Sequence, residues 1–170
     1  MASLTALRAK GFQAEFHSHA EAILTHDFPD TLAQLCKALD SVTIPIEEII
    51  AGGGGEAKGT QRLRRALTEL GWPKTTFVVR KIINGIEREA VSHIIDHCHS
   101  CRAGVVALEI EWNNKDPFFD RDLENFKRLH ADGAISVGVL VTRGRSLHEN
   151  MPATKRNRKP NGRKEVAYDI

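Results

Sequence analysis

The sequence predicts an α/β fold, a mixed β-sheet flanked by helices. Three observations predict it. Apolar residues of the first third recur at helical spacing. Residues 75–112 hold strand-like runs rich in Val, Ile, Thr and Phe. A second helical pattern, followed by an apolar run, completes the series. Its 170 residues suit one domain with a sizeable core.

Taken in order, Phe16, Ala20, Ile23, Leu32, Leu35 and Leu39 mark two helices between residues 13 and 40. They break near "THDFPD", with Asp30 as the expected N-cap of the second. "SVTIPIEEII" contains Pro45 and leads into a short helix. A helix from Thr60 to Leu70 should stop at Gly71, ahead of Trp72-Pro73. "TTFVVRKIING" reads as a strand, "IEREAVSHIIDHCHS" as a second ending near Asp96, and "AGVVALEIEW" as a third. "DPFFDRDLENFKRLHADG" reads as a helix with Phe119, Leu123, Phe126 and Leu129 on one face and Gly133 as its stop. "AISVGVLVTRG" is a buried strand, and "VAYDI" begins another. The expected division is N-terminal helices 13–50, a core 58–145 and a basic C-terminal segment 146–170, all in a single domain.

With 41% apolar and 27% charged residues, the composition is that of a soluble globular chain, not a disordered one. No apolar run approaches the roughly 20 residues of a membrane span, and "MASLTALRAKGF" lacks the apolar centre of a secretory leader. Three cysteines, Cys36, Cys98 and Cys101, do not make a disulfide framework, so a reducing cytoplasm is expected.

Net charge is only +2, but it is unevenly spread. Lys58 to Lys81 holds seven basic residues and one acid, Glu87 to Glu124 nine acids and four basic residues, and Arg143 to Lys164 eight basic residues and one acid. Basic flanks around an acidic middle suit a protein that grips a polyanion and holds a metal cation against it. Ordinary surface charge is the plainer alternative.

Two motifs invite chemistry and fall short of it. "GGGGEAKGT" is no Walker loop, because Lys58 precedes Gly59. It remains a loop feeding a helix whose start, with Lys58 and Arg62, could hold a phosphate. "HCHSC" has zinc-type Cys spacing at Cys98 and Cys101, but no second ligand pair follows, and a hairpin between two strands is the plainer reading.

The carboxylates are the sharper signal. Residues two apart on a strand share a face, so Glu109 and Glu111 point one way and Leu108, Ile110 and Trp112 the other. Asp96 ends the preceding strand and lies beside Glu109 if the two strands form a hairpin. Converging carboxylates stay ionised only around a cation, and Mg²⁺, hard and oxygen-seeking, fits best. The alternative is an exposed polar strand face. Asn113, Asn114 and Lys115 follow at once, and amides and a cation suit base edges and phosphates.

Asp96 followed by Glu109-Ile110-Glu111 resembles the catalytic core of the PD-(D/E)xK nucleases, with Glu where lysine is usual. "EIEWNNKDPFFDRDLENFKRLHADGAISVGVLVTRG" and "GTQRLRRALTELGW" narrow the resemblance to the BglII family of type II restriction endonucleases, related to BamHI and BstYI. That resemblance implies a restriction-endonuclease-like α/β core. It implies Mg²⁺-dependent hydrolysis of duplex DNA at a short palindromic site by a homodimer in a bacterial or archaeal cytoplasm. Asp96, Glu109 and the Ile110 carbonyl would hold the metal, and Glu111 would orient or deprotonate the attacking water. Asn113 and Asn114 would read bases, and Lys115, Lys58 and Arg62 would contact phosphates. The family's members run on with more strands than this chain, so the alternative is a truncated or inactive DNA-binding relic. A hydrolase of small phosphoesters would fit the acids but not the basic flanks.

Overall fold

The computed structural model describes residues 3–45, 47–48, 56–112 and 116–144. Asn113, Asn114, Lys115, the basic segment 146–170 with its "VAYDI" strand, and most of the helix expected after Pro45 lie outside them.

Among the described residues the helices α1 (Leu4–Ala9), α2 (Ala20–His26), α3 (Pro29–Asp40) and α4 (Lys58–Glu69) come before the strands. Then follow β1 (Thr75–Ile83), β2 (Ile86–Ile95), β3 (His97–Cys101), β4 (Gly104–Glu111), α5 (Asp116–Ala131) and β5 (Val137–Thr142). Helix α1 lies in the stretch where the sequence drew no helix; the Ser3 hydroxyl caps it, accepting from the Ala6 N–H at 3.2 Å. Residues 13–17 are not helical, and Phe16 packs on the core from that irregular segment. The break near "THDFPD" falls as expected, but Asp30 is not the cap. Phe28 holds that position and Pro29 starts the helix with its φ already set, leaving Asp30 in the first turn, where its charge favours the helix dipole. The expected stops hold: Gly71 and Gly133 take φ of 83° and 70°, which side chains resist.

Strands β1 and β2 form an antiparallel ribbon. Strands β3, β4 and β5 form a mixed sheet, β3 antiparallel and β5 parallel to the central β4, with α5 as the crossover. The plainer reading of "HCHSC" as part of a hairpin holds in part: its residues are not the connection but a strand, the first arm of the β3–β4 hairpin. Tertiary partners make its polar residues tolerable there. His97 Nδ1 donates to the Trp72 carbonyl at 3.0 Å, His99 Nδ1 meets the Thr31 hydroxyl at 2.9 Å, and the His99 ring lies 5.3 Å from that of Trp72. Cys98 is buried and Cys101 exposed, so the pair does not face one site.

Strand β4 serves two cores because its side chains alternate. Val106, Leu108 and Ile110 pack with Leu24, Phe28, Leu35, Leu63, Leu67 and Trp72 under the N-terminal helices. Ala107 packs on the opposite face with Ile95, Cys98, Phe126 and Leu129, and Val105 lies against that group under α5. Each fully buried Leu or Ile contributes roughly 1.5–3 kcal/mol, and burial on both faces explains why "VVALEI" is almost continuously apolar. Among the described residues no helix is long and apolar enough to cross a membrane.

Candidate active site

The alternation that builds two cores also aims the acids. Glu109 and Glu111 continue the row of Val105 and Ala107, so they lie on the α5 side of the sheet. This is not a solvent face: Glu109 is only 6% exposed. The β3–β4 register pairs His97 with Leu108 and so brings Asp96, at the bend between β2 and β3, next to Glu109. The Asp96 N–H donates to Glu109 Oε1 at 3.3 Å. Burial, then the charges of Asp96 and Asp122, push the Glu109 carboxyl up to about 8.

Glu111 is half-buried at the strand end. Burial raises its carboxyl above the usual range, as do a hydrogen bond with Asp122 and that residue's charge; Arg121, 3.6 Å from Glu111 Oε1, opposes them. Asp122, on α5, is 1% exposed, so a second buried acid backs the strand pair. The sequence placed Leu123 on that buried face, yet Leu123 is 51% exposed and Asp122 takes the inward place.

Cations come from α4 and the segment after it. Arg64 Nη2 lies 3.1 Å from Asp96 Oδ2, and Lys74 Nζ 3.5 Å from Asp96 Oδ1, so each Asp96 oxygen faces a positive charge. Arg64 also reaches Glu56 at 3.2 Å. A cleft of about 340 Å³ opens here between Thr60, Arg64, Asp96, Ile110, Glu111 and Trp112. The Thr60 hydroxyl on its wall is buried without a hydrogen-bond partner among the described residues. A hollow of about 500 Å³ beside α2, lined by Phe16, His19 and His26 among others, shares no residue with this cleft.

Of the residues singled out from the sequence, Asp96, Ile110 and Glu111 thus line one cleft, and Glu109 is buried beside it, bonded to the Asp96 N–H. Lys58 is exposed in the first turn of α4. Arg62 turns elsewhere: it grips Glu48 through two bonds of 2.9 and 2.7 Å and the Thr43 carbonyl at 2.5 Å, tying α4 to the preceding segment. Arg64, Lys74, Arg121 and Asp122 were missed. A signal for Asp122 existed, since it stands four and seven residues before the buried Phe126 and Leu129, on the inward stripe.

An oxygen-only donor set of Asp96, Glu109 and the Ile110 carbonyl, with Glu111 alongside, fits a hard divalent cation in its chemistry. Among the described residues, no three His, Cys, Asp or Glu side chains are grouped as a ready-made metal site, and Arg64 and Lys74 supply the positive charge at Asp96.

A mixed sheet carrying buried acids on its central strand, flanked by helices and edged by basic residues, defines a restriction-endonuclease-like α/β fold. The family model for restriction endonuclease BglII/BglIII matches residues 12–164. The chain belongs to that family, among the type II restriction endonucleases. No curated protein and no solved structure matches it.

Proposed function

We propose that this restriction endonuclease is a single-domain, cytoplasmic, Mg²⁺-dependent enzyme that cuts duplex DNA as a homodimer at a short palindromic site. The observation that carries this reading is the burial of Glu109 beside Asp96, Glu111 and Asp122, a costly arrangement that a divalent cation would relieve. Asp96, Glu109 and the Ile110 carbonyl are the residues that would hold it. When bound, Mg²⁺ would lower the pKa of the attacking water and neutralise charge on the scissile phosphate. Glu111, with its carboxyl raised by burial and Asp122, orients that water and accepts its proton. Arg64 on the cleft wall and Lys58 at the start of α4 attract the DNA backbone. Asn113 and Asn114 read base edges and Lys115 holds a phosphate just beyond the acids. Two-fold symmetry would set one such site against each strand.

The second reading is a DNA-binding protein that does not cut. The pairing of both Asp96 oxygens with Arg64 and Lys74 favours it. Digestion of a plasmid of known sequence with Mg²⁺ separates the two. Discrete fragments, lost in Asp96→Ala and Glu109→Ala while duplex binding persists, are the expected result. Salt-sensitive binding without cutting would establish the second reading, and cutting that survives both substitutions would remove these residues from the site.

A further inference from the structure

Asp122 touches neither metal, water nor DNA in the mechanism above, yet it is the most completely buried acid of the site, at 1% exposure. Its Oδ1 accepts a hydrogen bond from Nε of the neighbouring Arg121 at 2.9 Å, and Nη2 of the same guanidinium lies 2.8 Å away as an ion pair. Its Oδ2 is buried and meets no donor among the described residues. The adjoining group is the Glu111 carboxyl, which can bond it only while one of the two carries a proton. A buried charge left half-satisfied beside two other acids is expensive, and its removal would relieve the fold. Its connection is to Arg121. That guanidinium is held on Asp122, packs 5.3 Å from the centre of the Phe118 ring, and extends Nη2 to within 3.6 Å of Glu111 Oε1.

We propose that Asp122 is a positioning residue: by fixing Arg121 it holds the Glu111 carboxylate at the end of β4, in the place from which it serves the cation site. The proposal rests on the reading of that site as a metal-dependent nuclease centre. Arg121 is tied to one acid and restrains a second. This explains why a charged residue occupies the inward stripe of α5, where apolar packing alone would favour leucine.

The test is a titration of the full chain with Mn²⁺, without DNA, following the loss of the free-ion paramagnetic resonance signal. Asp122→Asn, Arg121→Ala and the double substitution are compared with the wild type, and the melting temperature of each metal-free protein is measured. Glu111 meets the metal through the water it orients, and outer-shell partners of that kind are worth about 10–100-fold in metal affinity or activity, so each single substitution should weaken Mn²⁺ binding about tenfold or more. The double substitution should be no worse than the weaker single, since both remove one device. Additive losses would overturn the route through Arg121. Undiminished uptake in Asp122→Asn, with a lowered melting temperature, would make Asp122 a structural residue and overturn the proposal. If Asp122→Asn does not fold, Arg121→Ala decides: that side chain is 56% exposed, and undiminished uptake there overturns the proposal by itself. A wild type that takes up no Mn²⁺ ends the metal-site reading and this inference with it, whereas wild-type uptake unchanged by the substitutions ends the inference alone.

Discussion

Replacing Glu109 by glutamine should make the metal-free protein more stable. Glutamine keeps the shape of the protonated acid and removes its charge. The Glu109 carboxyl stands at about 8 against an ordinary value of 4.5, raised first by burial and then by Asp96 and Asp122. A carboxyl raised by folding costs nothing below pH 4.5, and the cost of ionising it grows as pH climbs to about 8. At about 1.36 kcal/mol per pH unit, this gives under about 1 kcal/mol at pH 5, about 3 kcal/mol at pH 7 and about 5 kcal/mol above pH 8, as a ceiling. Metal-free wild type should therefore lose stability from pH 5 to pH 8.5, and Glu109→Gln should lose much less. A chain of this size gains roughly 2–4 °C per kcal/mol, so the variant should melt roughly 6–12 °C higher at pH 7. Thermal unfolding in EDTA at pH 5, 7 and 8.5 measures both slopes. Equal melting temperatures at pH 8.5, or a variant less stable than wild type, would refute the claim that the fold holds Glu109 under electrostatic strain.

Gly138→Ala tests the packing of α5 on β5. A Cβ there would stand 2.6 Å from Phe126 Cγ and 2.7 Å from Cδ2, and the Phe126 ring is buried in the second core, so the denaturant midpoint should fall by an amount equivalent to about 1–3 kcal/mol. Lys58→Ala tests the phosphate contact at the start of α4: DNA affinity should fall alike for every sequence, and the slope of log affinity against log salt should shrink by roughly 1. An unchanged slope would remove Lys58 from the interface.

Much of the fold was legible because it follows from periodicity. The α4 stop, the β1–β2 ribbon, β4 and the α5–β5 pair all stand where pattern and glycine put them. Strand β3 was not legible. Its five residues, "HCHSC", have no strand propensity to speak of, and they become a strand because Trp72 and Thr31 satisfy the two histidines from other elements. No local rule contains that information. The α3 cap shows the converse: Asp30 is a good capping residue, but Pro29 can only sit inside the first turn, which moves the cap to Phe28.

The site divides along the same line. The parity of β4 was enough to put Glu109 and Glu111 on one face and Leu108 and Ile110 on the other, because a strand has only two faces. Parity could not say whether the acidic face was wet. That depended on α5, and the α5 stripe admits two phases: Phe119, Leu123, Phe126 and Leu129, or Asp122, Phe126 and Leu129. Hydrophobicity alone chooses the first, burying Leu123. The fold takes the second, exposing Leu123 and sealing Asp122 behind Glu111. A helix that exposes a leucine to bury an aspartate beside two other acids gives up stability that a slight rotation would recover. The hydrophobic pattern is misleading here because the face is shaped by the charge it must hold. An acid on an inward stripe, opposite a strand with two acids on one face, is therefore a stronger sign of a functional centre than either feature read alone.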